Sequence, residues 1–235
     1  MAIKSLLKKI LGIQPAIPVN IEEPGKYLKA SYSQEGEDCV LMRYFEHQLT
    51  GFYIDVGAHH PFRFSNTYLF YQQGWSGINI DAMPGSMLLF EQLRPRDINL
   101  EMPISETKQK LTYYVFNEPA LNTFSKEEAD RKDGYYHYKL QKKIELDTYP
   151  LSEVLDKFLP EQQEIDFISI DVEGLDFEVI KSNDWNKYRP KMILIESLRS
   201  SIERTIDTDL YKYLDSQGYR FEAKTFNTLF FKLDK

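Results

Sequence analysis

The chain has 235 residues, with 29 Lys and Arg against 36 Asp and Glu, and its formal net charge is −7. This acidic balance, without a block of basic residues, argues against a nucleic-acid partner. A single cysteine, Cys39, excludes an internal disulfide and a multi-cysteine zinc site. No run of about 18 apolar residues occurs, so no transmembrane segment is predicted and a cytoplasmic domain is expected.

The first thirty residues are predicted to be an N-terminal helix and linker. Residues 1–13 carry apolar side chains at helical spacing with three lysines between them. Such a helix packs on a domain surface or makes weak contact with an anionic membrane, and the sequence favours the first. Residues 14–29 hold three prolines and a glycine, which indicate a linker. Residues 31–235 are predicted to form one domain.

Within that domain, short apolar strands alternate with helices. Strands are predicted at 52–56, 77–81, 98–104, 111–116 (at a sheet edge), 165–171 and 192–195, and helices at 67–73, 84–93, 151–159, 175–181 and 209–217. Two last strands, 219–225 and 228–233, are predicted to form a hairpin. Residues 117–138 are polar, aromatic and aperiodic, which predicts a long substrate loop. This order predicts an α/β fold whose mostly parallel sheet has helices on both faces and an antiparallel edge.

Acidic residues stand at the ends of four predicted strands: Asp55, Asp81, Asp171 and Glu196. The carboxyl ends of parallel strands meet at one edge of a sheet, where ligands bind. Buried carboxylates are costly unless something pairs with them, so four together predict a functional site. Two alternatives stay open. Asp171 and Glu173 are also placed to cap the next helix, and Glu196 is as well explained by a salt bridge.

The loop after the first strand predicts a cofactor that has a nucleoside but no phosphates. Gly57 lets the backbone approach a ligand closely, and Asp81 can accept hydrogen bonds from ribose hydroxyls. The dinucleotide fingerprint G-x-G-x-x-G is missing, because residues 58–62 contain no glycine to cradle a pyrophosphate. A tight turn between a strand and a helix would show the same short pattern.

Five motifs follow one another along the chain, at residues 33–38, 53–61, 66–67, 74–81 and 168–174. Together they resemble the FkbM-type S-adenosylmethionine-dependent methyltransferases, from about residue 31 to the C-terminus. The resemblance implies a class I, Rossmann-like methyltransferase fold and methyl transfer to oxygen, often on a sugar of a glycan or a secondary metabolite. The sequence differs at residues 58–61, where Ala-His-His-Pro replaces the Ala-Asn-x-Gly of many members.

The resemblance also assigns residues to the cofactor, S-adenosylmethionine. It places Asp55 and Gly57 beside the methionine part, Asp81 at the ribose, Ile104 and Ser105 at the adenine, and Gln34 and Glu35 close by. These seven residues come from four separate segments of the chain.

An alcohol must lose its proton when it attacks the methyl group, and a general base or a divalent metal can assist. Asp171, Glu173 and His60 are the candidate catalytic residues. Carboxylate and imidazole together suit Mg, Mn or Fe, and Asp171, Glu196 and His60 are the candidate ligands, the first two by analogy with other O-methyltransferases of this fold. His60 has an alternative role, since the histidine pair beside Pro61 could simply cap a loop.

The predicted substrate loop offers aromatic faces together with amide and hydroxyl groups, which suit a sugar ring. Asn122, Thr123 and Tyr135 are the candidate substrate residues, although loop tyrosines also occur at contacts of a homo-oligomer. The sequence thus predicts O-methylation of a sugar hydroxyl, on a nucleotide-linked sugar or a surface glycan, in polysaccharide biosynthesis. The alternatives are a non-sugar metabolite on the same fold, or a catalytically silent domain that binds the cofactor or a partner protein.

Overall fold

The structure is a computed structural model, and it describes residues 23–198 and 201–234. By internal contacts the chain divides into residues 1–30 and residues 31–235. The described part of the first unit contains one short 3-10 helix, Pro24–Tyr27. The helix predicted at residues 1–13 lies outside the described residues, and so does any contact it would make with a membrane.

In the second unit the described strands are β1 Phe52–Val56, β2 Ser76–Asp81, β3 Ile98–Glu101, β4 Gln109–Phe116, β5 Leu140–Thr148, β6 Phe167–Ile170, β7 Met192–Glu196, β8 Tyr219–Lys224 and β9 Thr228–Leu233. The described α-helices are α1 Glu37–Tyr44, α2 Tyr68–Gln72, α3 Met87–Leu93, α4 Lys126–Lys132, α5 Leu151–Phe158, α6 Asp176–Lys181, α7 Ile202–Thr205 and α8 Asp209–Ser216. Among the described helices, none has the length and apolar character needed to cross a membrane.

The main sheet has the order β3-β2-β1-β6-β7-β9-β8. Strands β3, β2, β1, β6 and β7 run parallel, and β9 is antiparallel to both β7 and β8. The predicted α/β fold, with its mostly parallel sheet and its C-terminal antiparallel hairpin, is confirmed. The order reverses at β1, where β2 lies on one side and β6 on the other, and such a switch point opens a crevice at the carboxyl ends of the strands.

Helices cover both faces of this sheet, because successive side chains of a strand point to opposite sides. On one face, Ile54 of β1 belongs to a buried cluster with Leu155 of α5 and with residues of α6 and α8. On the other face, Tyr53 packs in a second cluster with Leu41 of α1 and Phe70 of α2. Buried strands with apolar residues on both faces are typical of parallel sheets between two helical layers.

The sequence predicted that β4 lies at an edge of the main sheet, and this prediction is wrong. Strand β4 pairs with β5 in a separate two-stranded antiparallel sheet. Strand β5 is absent from the sequence prediction, although half-buried residues alternate there with exposed ones at Ile144, Glu145, Leu146 and Asp147. We call residues 109–148, from β4 to β5, the inserted unit.

The segment predicted as a long loop, residues 117–138, holds two short helices in the inserted unit. They are a 3-10 turn at Pro119–Leu121 and α4 at Lys126–Lys132. Helix α4 starts at a capping residue, since the hydroxyl of Ser125 accepts a hydrogen bond from the backbone N–H of Glu128. A serine followed three residues later by a glutamate is a known pattern for the start of a helix. Helix α4 has no apolar stripe, so hydrophobic periodicity does not predict it.

A buried network of polar side chains ties β1, β2 and β3 together near the cavity described below. The guanidinium of Arg94, fully buried, donates to the Asp97 carboxylate at 2.8 Å and to the Tyr53 hydroxyl at 2.7 Å. It also donates to the Thr67 hydroxyl at 3.0 Å and to the carbonyl of Pro61 at 3.2 Å. Nothing in the sequence pattern singles out Arg94, because all of these partners except Asp97 are distant along the chain.

Candidate active site

A cavity of about 650 Å³ lies at the carboxyl ends of β1, β2 and β6. Its size falls within the usual range for small-molecule sites. The loop after β2 (residues 81–86) and residues 102 and 104 form one wall, and the loops after β1 and β6 form another. The inserted unit contributes residues 118–122, Tyr113, Phe124 and Tyr138. The cavity therefore stands at the switch point of the sheet, where the topology predicts ligand binding.

Gly57 allows the first loop to pass directly beside Asp171. Its φ is +86°, and a Cβ atom at this position would stand 1.7 Å from the backbone oxygen of Asp171. The glycine thus gives room to the protein's own backbone, in a conformation that L side chains rarely adopt. The strands β1 and β6 are paired in the sheet, and Gly57 lets the loop after β1 stay in close contact with the end of β6 at the cavity.

Replacing Gly57 by alanine is expected to destabilise the fold by about 1–3 kcal/mol through overpacking, in addition to the strain of a left-handed backbone. Urea unfolding of the purified variant measures the loss. Gly74→Ala is the matched control, since Gly74 has a φ of +95° and no atom within 4 Å of its would-be Cβ. Equal losses in the two variants would show that the contact with Asp171 is unimportant.

Asp81 stands at the end of β2 and lines the cavity. One carboxylate oxygen accepts the backbone N–H of His59 at 2.9 Å, and the other accepts that of Met83 at 2.8 Å. Burial raises the pKa of Asp81, and these two hydrogen bonds act against that rise. Each carboxylate oxygen can accept a further hydrogen bond, so Asp81 keeps the capacity to hold hydroxyl groups of a ligand.

Three carboxylates gather where β6 and β7 end. Oxygen atoms of Asp171, Glu173 and Glu196 all lie within 4.8 Å of one another, and we call these residues the acid cluster. Asp171 and Glu173 line the cavity. Desolvation and repulsion from neighbouring carboxylates, including Glu173, raise the pKa of Asp171 and of Glu196. Desolvation also raises the pKa of Glu173, and the charge of Lys132 acts against that rise. The sequence alternative, in which Asp171 and Glu173 cap the next helix, is wrong, because Leu175 is the capping residue of α6.

The loop between β6 and α6 holds Glu173 in an unusual backbone conformation, with φ at +55°. Its carbonyl oxygen accepts a hydrogen bond from the hydroxyl of Thr123, at 2.5 Å. The carboxylate of Asp176 accepts the N–H groups of Val172 and Gly174 at 3.0 and 3.1 Å. Contacts from both sides therefore fix this loop, and a non-glycine residue in the left-handed region is typical of functional sites.

Lys132 supplies a positive charge to the acid cluster from the inserted unit. It is the last residue of α4, and its Nζ lies 2.5 Å from Oε2 of Glu173. Both side chains are largely buried, with 8% and 18% of their surface exposed. The charge of Lys132 also acts to lower the pKa of Asp171 and Glu196. Lys132 is not among the site residues predicted from the sequence, since a lysine in a polar stretch gives no signal of its own.

Two histidines lie on the cavity wall after β1. His60 accepts the backbone N–H of Arg63 on its Nδ1 at 3.1 Å, and His59 has a φ of +52°. Burial and the nearby Arg63 lower the pKa of both imidazoles, which favours their neutral form. Arg63 also forms an ion pair with Glu118 of the inserted unit at 3.0 Å. That pair joins the first loop to the inserted unit at the cavity.

The structure brings eight of the sequence-predicted site residues to the cavity wall: Gln34, Gly57, His60, Asp81, Ile104, Asn122, Asp171 and Glu173. Glu196 is not in the wall but belongs to the acid cluster beside it. His59, Arg63, Met83, Tyr113 and Phe124 also line the cavity, without having been selected from the sequence. Residues predicted to bind the cofactor and residues predicted to be catalytic therefore line the same cavity.

Asp55 does not reach the cavity, in contrast to the sequence expectation. Its side chain shares a face of β1 with Tyr53, and its carboxylate accepts a hydrogen bond from the Thr67 hydroxyl at 2.7 Å. Burial raises the pKa of Asp55 to about 6, against the influence of the nearby Arg94. Because side chains alternate along a strand, Asp55 lies on the face of the sheet that also carries Tyr53, where Thr67 engages its carboxylate.

Four more predicted residues also lie away from the cavity wall. The Ser105 hydroxyl lies 2.6 Å from that of Thr148, and Glu35 accepts the backbone N–H of Asn227 in the terminal hairpin at 2.7 Å. Thr123 is fully buried and contacts the backbone of the loop after β6 rather than the cavity. Tyr135 is 69% exposed. Each side chain is thus engaged elsewhere or turned to solvent.

The predicted metal ligands are only partly brought together. Asp171 and Glu196 lie in the acid cluster, but the third member is Glu173 rather than His60. Among the residues that the structure describes, His60 belongs to no group of potential ligands. The backbone of the loop after β1 holds its Nδ1, which agrees with the alternative that this histidine organises a loop.

A seven-stranded, mostly parallel sheet with helices and an antiparallel C-terminal hairpin is consistent with a Rossmann-like methyltransferase fold. The family model described as Methyltransferase FkbM domain matches residues 55–221, more than half of the chain. The chain therefore belongs to the FkbM methyltransferase family, and the resemblance drawn from its motifs is confirmed. Membership implies use of S-adenosylmethionine. Residues 33–38, which contributed to that resemblance, lie outside the match, and no curated protein and no solved structure matches the chain.

Proposed function

We propose that this protein is a cytoplasmic O-methyltransferase that transfers the methyl group of S-adenosylmethionine to a sugar hydroxyl. The acceptor would be a nucleotide-linked sugar or a surface glycan in polysaccharide biosynthesis. One observation carries the proposal: Asp81 and Asp171 line the same cavity. The first suits a ribose, and the second suits the removal of a proton from an alcohol.

Asp81 supports the cofactor half of this proposal. Two backbone N–H groups hold its carboxylate, which fixes the direction of its remaining lone pairs. Two vicinal hydroxyls of a ribose donate hydrogen bonds and match such an acceptor. Apolar residues Met102 and Ile104 line the cavity on the β3 side, where the flat surface of a purine would pack. A nucleoside cofactor thus fits this wall, and the wall has no glycine-rich loop for a pyrophosphate.

Asp171 supports the chemical half. Transfer from a sulfonium is an in-line displacement, so the acceptor oxygen must lie opposite the leaving sulfur and lose its proton during the step. Asp171 faces the cavity beside Gly57, and its raised pKa brings its basicity closer to that of a working general base at neutral pH. In this mechanism Asp171 would take the hydroxyl proton, and the loop after β1 would hold the cofactor.

Aromatic residues from the inserted unit support a sugar as the acceptor. Tyr113 and Phe124, with ring centroids 4.6 Å apart, line the cavity together with Tyr138. The amide of Asn122 also faces the cavity, although its oxygen is already used by the backbone N–H of Phe116. Flat apolar surfaces with few polar groups suit the faces of a pyranose, and they would also accept a small non-sugar alcohol. That alternative acceptor remains the second candidate.

A divalent metal is the alternative to a general base. The acid cluster offers three carboxylates, the ligand type that Mg and Mn prefer. However, the ammonium group of Lys132 is already bound to one of them, Glu173. The donor set therefore does not fit a metal without breaking a buried ion pair, and we derive no step through a metal.

Calorimetric titration with S-adenosylmethionine, S-adenosylhomocysteine and NAD tests the cofactor assignment. Both sulfur cofactors are expected to bind at micromolar concentration, while NAD is not. Asp81→Ala is expected to weaken binding by about 10- to 100-fold, because charged hydrogen bonds to the ribose contribute about 1.5–3 kcal/mol. Asp147→Ala, at an exposed carboxylate of β5, is the control that should bind normally. A folded protein that binds neither sulfur cofactor would contradict the proposal.

A further inference from the structure

The buried ion pair of Lys132 and Glu173 gives the inserted unit a direct part in the chemical end of the cavity. Lys132 reaches Glu173 from α4, and its side chain is 8% exposed. Thr123, from the same inserted unit, donates to the Glu173 backbone at 2.5 Å. Glu173 is thus held at its carbonyl and at its carboxylate by one continuous segment of the chain.

The acid cluster has three carboxylates but only one lysine bound to it among the described residues. Three carboxylates lie within 4.8 Å of one another, and Lys132 is the cation that hydrogen-bonds to one of them. The other basic residue at the end of α4, Arg131, is bound to Glu128. Asp171 is exposed and Glu173 and Glu196 are half-buried, so solvent screens part of the mutual repulsion of the three carboxylates. A single ammonium group at hydrogen-bond distance offsets a further part of that repulsion. A divalent cation bound at the acid cluster would also offset the repulsion between the carboxylates.

We propose that Lys132 is a positioning residue that serves as the built-in counter-ion of the acid cluster and excludes a divalent metal from it. This inference rests on the proposed function, because it assigns proton removal to a carboxylate rather than to a metal. A metal bound to all three carboxylates would have to displace the ammonium from Glu173. The displaced lysine would then be left buried without a partner, which is strongly unfavourable.

Titration of the metal-free full-length protein with Mn²⁺, followed by the electron paramagnetic resonance signal of free Mn²⁺, tests this inference. The unmodified protein is expected to bind Mn²⁺ only weakly. Lys132→Gln keeps a hydrogen-bond donor near Glu173 but removes the charge, and it is expected to tighten Mn²⁺ binding on the order of tenfold or more. Lys132→Arg keeps the charge and should behave as the unmodified protein does.

Two further variants show where the metal binds. Adding Glu196→Gln to Lys132→Gln is expected to abolish the gain, because it removes one carboxylate of the acid cluster. Lys126→Gln is the matched control on the same helix, since Lys126 is 71% exposed and paired with Asp130. It should leave Mn²⁺ binding unchanged. Lys132→Met serves as the second neutral variant if the glutamine variant does not fold.

Micromolar Mn²⁺ binding to the unmodified protein that depends on Glu196 would overturn the inference. Unchanged Mn²⁺ binding in the folded neutral variants would overturn it as well. Calorimetry with S-adenosylmethionine on the same samples separates this inference from the proposed function. If the unmodified protein does not bind S-adenosylmethionine, the methyltransfer proposal is wrong. The Mn²⁺ titration tests the role of Lys132 whether or not the cofactor binds.

Discussion

Replacing Asp171 by asparagine is expected to lower kcat by about 10²- to 10⁴-fold, the usual contribution of a general base. The amide has nearly the same shape as the carboxylate but cannot take the hydroxyl proton. Asp171 has no assigned contact with the cofactor, so the affinity for S-adenosylmethionine should change little. Steady-state kinetics with an acceptor found by screening nucleotide-linked sugars, together with calorimetry, measures both quantities.

Asp147→Asn is the control for this substitution, because its carboxylate is 72% exposed on β5. It should retain full activity. A pH profile of the Asp171 variant adds a second readout, since any remaining activity should rise with pH as hydroxide replaces the lost base. An active Asp171→Asn enzyme with unchanged kcat would remove this residue from the chemical step.

The largest expected loss of stability follows from Arg94→Met, which leaves the Asp97 carboxylate buried without its ion-pair partner. Removing one member of a buried ion pair costs about 3–5 kcal/mol. Tyr53 and Thr67 lose a hydrogen-bond donor at the same time. Guanidinium unfolding, followed by circular dichroism, measures the change in the free energy of unfolding.

Arg96→Met provides the comparison, since Arg96 is exposed and should contribute less than about 1 kcal/mol. Arg94→Lys should recover only part of the loss, because an ammonium group cannot reproduce the planar fork that contacts several partners at once. A loss below about 1 kcal/mol for Arg94→Met would mean that the network contributes little to the fold.

The central sheet could be predicted from the sequence because its strands are short apolar runs with clear ends. The predicted bounds of β1 and β9 agree with the observed strands Phe52–Val56 and Thr228–Leu233. The inserted unit could not be predicted in the same way. Helix α4 has no apolar stripe, and β5 is largely exposed, so neither gives the strong periodicity of a buried element.

The site was predictable where it follows from strand ends, as for Asp81 and Asp171. Asp55 shows the limit of that rule, because a shift of one position along a strand turns the side chain to the opposite face. Lys132 and Glu173 are 41 positions apart in the sequence, and so are Arg94 and Tyr53. Such pairs depend on tertiary packing, and a single sequence without that packing does not reveal them.

The inserted unit has a consequence for how the specificity of this enzyme can be changed. It has its own two-stranded sheet and its own small apolar cluster around Tyr114, Phe116 and Ala129. It also carries the aromatic side of the cavity and the lysine bound to Glu173. One contiguous stretch of the gene thus encodes most of the proposed acceptor surface. Exchanging that stretch between homologues is a direct route to chimaeras with new acceptors on an unaltered cofactor half.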